Sequence, residues 1–256
     1  MKRSVFKINK TPILLAALLC MVGSSPLFAA DSGKESDWDY GATIYLWGAN
    51  ITANTAGSDT DPIPFYKLLD NLQMAFMGAF EARKDKLSFF ADLIYLDVKT
   101  KKTKSIGPGD GIETNGSVEL KSWIFTPQVR YALVDDEKSR FELVAGLRYL
   151  DLSTAAKINV ADNPILNAEQ SGSDWDGIIG ARWVINLNEK WFVPLYADVG
   201  AGGSDSTWQA LGGIGYRFKR VEAMLAYRHL QYSFDSDVLL DNMVVKGPLA
   251  GITFRF

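Results

Sequence analysis

From Trp38 to Phe256 the apolar residues of this chain recur mostly at every second position, the period at which a β-strand presents one face. The alternation comes in ten segments: 38–51, 74–83, 87–98, 118–133, 140–152, 175–185, 191–201, 207–218, 221–232 and 245–256. Each is about as long as the ~9–11 residues that a tilted strand needs to cross a bilayer. No Gly/Ser/Pro-rich linker divides them, so one domain is expected. The connections alternate in kind. Those after the even-numbered segments are short and charged (84–86, 134–139, 186–190, 219–220). Those after the odd-numbered segments are mostly long and polar (52–73, 99–117, 153–174, 202–206, 233–244).

The faces are consistent from strand to strand. In the fifth segment Phe141, Leu143, Ala145, Leu147 and Tyr149 share one side, and Glu142, Gly146 and Arg148 share the other. In the seventh, Trp191, Val193, Leu195, Ala197 and Val199 oppose Tyr196, Asp198 and Gly200. A soluble β-sandwich or a lipocalin-like barrel would bury such an apolar face as its core, and either fits any single strand. Both fit less well with aromatics at the two ends of the apolar faces: Tyr95, Tyr149 and Tyr227 toward the long loops, and Tyr131, Trp183, Trp191 and Phe218 toward the short turns. Short turns on one side, long loops on the other and two aromatic girdles are the pattern of a membrane-spanning barrel. In hydrocarbon every backbone N–H and C=O must be paired internally, so a strand-built span has to close. The expected fold is all-β: a closed, antiparallel, up-and-down transmembrane barrel of ten strands, with eight or twelve as alternatives. The third segment alternates poorly, and its register is open.

The first thirty residues predict export. Lys2, Arg3, Lys7 and Lys10 precede an apolar run from Pro12 to Val22, and Gly23-Ser-Ser-Pro-Leu-Phe-Ala-Ala30 follows. A basic head, a short apolar middle and small exit residues make a signal peptide, with cleavage expected after Ala29 or Ala30. The run is shorter than the ~20 residues of a spanning helix. Residues 1–30 are therefore assigned to the signal peptide and 31–256 to the barrel. The one cysteine, Cys20, follows Leu19, which is no lipoprotein signal, and the mature chain can form no disulfide. With the four basic residues of the signal removed, 23 remain against 30 acids, a net charge of −7, which argues against nucleic acid. Exported, cysteine-free and built of membrane-length strands, the chain is expected in a bacterial outer membrane.

The sequence finishes Gly251-Ile-Thr-Phe-Arg-Phe256. Ile252, Phe254 and Phe256 on one face, stopping on the aromatic, resemble the C-terminal Phe signature of bacterial outer-membrane β-barrel proteins. That resemblance implies that the barrel-assembly machinery reads the strand, with Phe256 foremost. Residues 68–83 with Phe90-Ala-Asp92 also resemble an uncharacterised group of such proteins, over the first third of the mature chain, and this likeness implies no activity.

The opposite faces carry a near-balanced set of charges expected in the lumen: Glu81, Asp92, Glu142, Asp176, Asp198 and Glu222 with Arg83, Arg130, Arg148, Arg182, Arg217 and Arg228. All the cations are Arg, whose planar fork suits confined pairing with carboxylates. Either a salt-bridged filling or a charged constriction for solutes fits, and a small barrel favours the filling. His229 is the sole histidine, expected near the outer rim. It lacks the Asp-x-His or His-x-Ser arrangement of barrel hydrolases, though Asp235, Asp237 and Asp241 follow it. No cofactor and no metal site is expected. Phe65, Leu68, Leu69 and Leu72 fall at helical spacing in the first loop and predict a short amphipathic helix. Lys99, Lys101, Lys102 and Lys104 fall on the third segment's loop and could meet lipopolysaccharide phosphates. Gly107–Gly111 is no phosphate cradle, since no Gly-Lys-Ser/Thr follows.

Three functions stay open on these residues: a non-enzymatic monomeric barrel, envelope-structural or passing small solutes; a lipid- or peptide-modifying enzyme at His229; and a surface-recognition barrel using its long loops. Its partners would be outer-membrane lipids, lipopolysaccharide and the assembly machinery.

Overall fold

The two-residue turn between residues 84 and 87 shows how the turns are set. Lys84 pairs with Leu87 across Asp85-Lys86, and Asp85 takes a φ of 50°, a left-handed conformation that Asp tolerates because its short polar side chain bonds locally. Other turns at this end use side-chain caps. Asp136 Oδ1 accepts the N–H groups of Lys138 and Ser139 at 2.9 and 2.7 Å, and Asn188 Oδ1 accepts those of Lys190 and Trp191 at 2.9 and 2.8 Å.

The computed structural model describes residues 38–54, 63–106, 112–160, 163–234 and 241–256. The expected signal peptide, the Gly107–Gly111 stretch, Asp235 and Asp237 lie outside the described residues. The strands are β1 (Asp39–Trp47), β2 (Asn50–Asn54), β3 (Leu72–Lys84), β4 (Leu87–Ile106), β5 (Ile112–Asp135), β6 (Ser139–Val160), β7 (Asn163–Asn186), β8 (Trp191–Gly202), β9 (Ser206–Arg217), β10 (Val221–Ser233) and β11 (Asn242–Arg255). Among the described residues one helix, α1 (Phe65–Asp70), precedes β3 and buries Leu68 where the spacing predicts it; Leu72 begins β3 instead.

From β3 onward every strand pairs antiparallel with the next, and β1 pairs with both β3 and β11. The sheet thus closes into a ten-stranded barrel, in which β1 and β2 form one stave that bends at Gly48–Ala49 while both halves follow β11. At the bend the backbones nearly touch: a Cβ on Gly247 would stand 2.2 Å from the Gly48 carbonyl oxygen, so only glycine fits.

Inside and outside have exchanged their usual roles. Outward residues such as Ile44, Leu46, Leu147, Ile179, Val199 and Leu225 are large, apolar and half or more exposed, while Arg148, Glu142 and Asp176 are buried within. That excludes the lipocalin-like alternative, whose greasy face turns inward. Aromatics ring the belt at both edges, and on four strands they stand eight positions apart on the outer face: Trp123 and Tyr131, Phe141 and Tyr149, Trp175 and Trp183, Trp208 and Tyr216. Eight residues at ~3.3 Å each, tilted by about 40°, rise about 20 Å, most of the ~25 Å of an apolar membrane band. Adjacent rings pack along each girdle, Tyr95 on Trp123 at 4.3 Å and Tyr149 on Trp175 at 4.8 Å at the loop edge, Trp191 on Tyr216 at 4.9 Å at the turn edge.

The described residues of two expected loops are strand. Residues 99–106, 112–117, 153–160 and 163–174 extend β4 to β7, which reach 20 to 24 residues and pair in register far past the girdle, as with Thr114 opposite Val160. Beyond the aromatics neither face meets lipid, so the pattern that marks a strand fades. The faces also swap there. Asp97, Lys99, Glu119, Lys121 and Asp151 follow the aromatics on the outside, whereas Val98 is buried on the inside with Leu120 and Leu152 half-buried.

Candidate functional site

Strand alternation sends Ser88, Phe90, Asp92, Ile94 and Val98 of β4 inward, which settles the open register of that segment. The third strand alternates poorly because the lumen itself changes character along the barrel axis: charged at the turn end, polar at mid-height, apolar at the loop end.

At the turn end a cup of about 350 Å³ opens among arginines and carboxylates. Arg83 pairs with Asp39, and Arg140 with Asp135. Arg140 Nε and Arg182 Nη1 donate to the two oxygens of Glu142 at 2.8 and 2.6 Å. Arg217 Nε donates to Glu222 Oε1 at 3.1 Å and its Nη1 to Asn186 at 2.8 Å. Arg255 bridges Glu81 at 2.6 Å and Glu222 at 3.2 Å.

Above the cup runs a chain of hydrogen bonds. Arg130 pairs with Glu81 at 3.5 Å, donates to Gln128 Oε1 at 2.8 and 3.0 Å, and lies 3.7 Å over the Phe90 ring. Gln128 donates to the Tyr196 hydroxyl at 2.8 Å, which donates to Asp198 at 2.5 Å. Arg148 donates to Asp198 at 2.5 Å and to Thr207 at 3.0 Å. A second cluster joins Arg228 to Asp92 at 2.8 Å, to Gln209 at 2.7 and 2.9 Å and to the Tyr45 hydroxyl at 3.1 Å, with Tyr45 donating to Asp92 at 2.5 Å. Asp176 departs from the expected pairing: its carboxylate accepts from Ser204 N and Oγ at 2.9 and 2.8 Å instead of from a guanidinium. It fixes the β8–β9 connection.

The loop end of the lumen is filled by Trp47, Ile94, Ile124, Leu150, Leu230, Tyr232, Met243, Val245 and Leu249. His229 points the other way. It stacks on Trp208 at 4.4 Å on the outer wall, one rung from the girdle, opposite Lys246 in the register. Ile252, Phe254 and Phe256 also face outward and are 47%, 48% and 68% exposed, with the Phe256 ring 6.0 Å from Tyr40.

Arg140, Arg255, Asp39, Tyr45, Gln128 and Gln209 belong to the interior and are missing from the charge set read in the sequence. Parity could have found two of them: Arg140 is in phase with Glu142, and Arg255 alternates with Phe254 and Phe256. The neutral side chains carry no such signal.

No model of a known protein family matches the sequence, and no curated protein does. Solved structures that resemble the fold include the translocator domain of the autotransporter NalP from Neisseria meningitidis (14% identity, 88% of this chain and 90% of that one, TM-score 0.45). Neisserial surface protein A (13%, 86% and 98%, TM-score 0.36) and Ail, the attachment invasion locus protein of Yersinia pestis (10%, 86% and 98%, TM-score 0.34), are further matches. These neighbours are bacterial outer-membrane β-barrels.

Proposed function

We propose that this chain is an integral barrel of the bacterial outer membrane whose closed interior makes it an envelope-structural protein, neither a solute channel nor an enzyme. The observation that carries this reading is the pairing of a greasy outer wall with a lumen in which Arg148, Glu142, Leu230 and Tyr232 are all 0% exposed. A small barrel leaves an interior just wide enough for side chains, and here they fill it. Charged groups in the middle layer hold one another, so no ring of unpaired charge lines a path for solute. His229 against Trp208 supports an interfacial anchor on the outer wall and not a general base, which must reach its proton.

On this reading residues 1–30 serve export, and the outward row Ile252, Phe254 and Phe256 of β11 is what the assembly machinery contacts. The surroundings are outer-membrane lipids with lipopolysaccharide.

The test is conductance. Vesicle-inserted protein, verified by its heat-dependent gel mobility, is fused to a planar bilayer. The proposal expects no discrete steps from the wild type, and narrow steps once Leu230→Ala and Tyr232→Ala thin the apolar end. Regular steps from the wild type would overturn the closed reading and restore the solute-channel alternative.

A further inference from the structure

The cup at the turn end holds more donors than acceptors. Both carboxylate oxygens of Glu142, Glu81 and Glu222 already receive guanidinium N–H groups: Arg140 and Arg182 on the first, Arg130 and Arg255 on the second, Arg217 and Arg255 on the third. A guanidinium carries five N–H donors and no acceptor. Among the described residues the Arg83 side chain makes one hydrogen bond, to Asp39, and that of Arg182 makes one, to Glu142; that of Arg217 makes two. Most of the donors of these three side chains are therefore uncommitted to the protein, and all three line the same cavity.

We propose that this cup binds a small molecule through an oxyanion, a carboxylate or phosphate group received by Arg83, Arg182 and Arg217. The chemistry follows from the imbalance. The lining sets five arginines against four carboxylates, Asp39, Asp135, Asp136 and Glu222, so its net charge disfavours a cation, and an apolar ligand would strip water from guanidinium groups with nothing in return. An oxyanion instead offers several lone pairs to forks built for planar bidentate bonding. About 350 Å³ lies at the small end of ligand cavities, which fits a ligand of a few heavy atoms beyond its acid group. The floor is held by Glu142, buried between two arginines, and by the hydrogen-bonded run from Arg130 through Gln128 and Tyr196 to Asp198 above it. The site depends on the barrel wall alone. It stands whether or not the lumen beyond it conducts.

Carboxylate and phosphate are separated by the probes. Folded protein in a neutral maltoside micelle, in phosphate-free buffer, is titrated calorimetrically with succinate and, in a second arm, with inorganic phosphate. We expect saturable binding of at least one, with a Kd at or below about 1 mM. Arg182→Gln and Arg217→Gln should each weaken it about tenfold, the loss of one charge-assisted contact, whereas Lys246→Gln on the outer wall should leave it unchanged. If Arg182→Gln loses the heat-dependent gel shift of the folded form, Arg83→Gln takes its place. No saturable heat with either probe up to about 10 mM, or equal affinity in wild type and both arginine variants, overturns the proposal.

Discussion

Arg148 of β6 and Asp198 of β8 meet across the lumen, over the intervening strand, at 2.5 Å with both side chains wholly out of solvent. Neither strand pairs with the other, so this contact ties together staves that the ladder does not. Breaking such a pair strands one buried charge, at a cost of about 3–5 kcal/mol, while replacing both members with apolar groups of similar volume is far milder. Asp198→Ala should therefore lower the urea midpoint for unfolding from vesicles sharply. The double variant Arg148→Met with Asp198→Leu should recover most of the loss. A double variant as unstable as the single one would mean that the pair's partners, Tyr196 and Thr207, matter more than its charge balance.

Ile179 stands midway between the girdle residues Trp175 and Trp183 and is 67% exposed on the outer face. An Arg at the centre of the apolar band costs about 2–4 kcal/mol and near the interface about 0–1 kcal/mol. Ile179→Arg should destabilise the folded protein in vesicles by that larger amount, and Ser173→Arg, one rung beyond Trp175, by little. Equal effects at the two positions would remove the depth dependence that lipid imposes.

Gly215 faces inward under the Phe192 ring, and a Cβ there would sit 2.1 Å from the ring. Arg217 in turn lies 4.4 Å over the same ring from the other rung. Gly215→Val must displace both, an overpacking that costs about 1–3 kcal/mol. The same substitution at Gly172, which has no heavy atom within 4 Å of its virtual Cβ, should be nearly neutral in the same unfolding assay.

Beyond the loop-side girdle, Glu119 receives Lys121 at 2.9 Å and Lys99 at 3.0 Å. These hydrogen bonds, Lys121 first, hold its carboxyl down to about 2 from the usual 4.5. Because the folded value is the depressed one, the trio's contribution is complete above the ordinary carboxylate range and fades as the pH falls through about 2. An NMR titration of the Glu119 carboxyl should show that midpoint. It should rise toward the ordinary value in Lys121→Gln, and also at high salt, which screens exposed charges. A midpoint indifferent to both would show that the lysines do not set it.

The membrane-height part of the barrel was legible because lipid outside and polar filling inside enforce a period of two on nearly every strand. Where the environment stops enforcing it, reading by alternation failed. Segments 99–117 and 153–174 read as loops because the strands formed by their described residues project where neither face meets lipid. The segment 87–98 read poorly because Phe90, under Arg130, and Ile94 and Val98, toward the loop end, put apolar groups on its inner face as well. Among the interior charges, the reading took in Arg83, Arg217 and Glu222 at strand ends but passed over Arg140 and Arg255, which share the inward parity of their strands. Pairing partners were invisible to it: that Asp176 serves Ser204 depends on how the β8–β9 connection folds back, which no spacing along β7 encodes.

The most direct test of the account removes the lipid. The mature chain is diluted from denaturant into buffer with and without phospholipid vesicles and assayed by heat-dependent gel mobility and size. An outer wall carrying Ile44, Leu46, Ile179, Val199 and Leu225 in the open predicts the compact, heat-modifiable form only with vesicles or micelles, and aggregation in buffer alone. A folded, soluble monomer in buffer without lipid or detergent would contradict it.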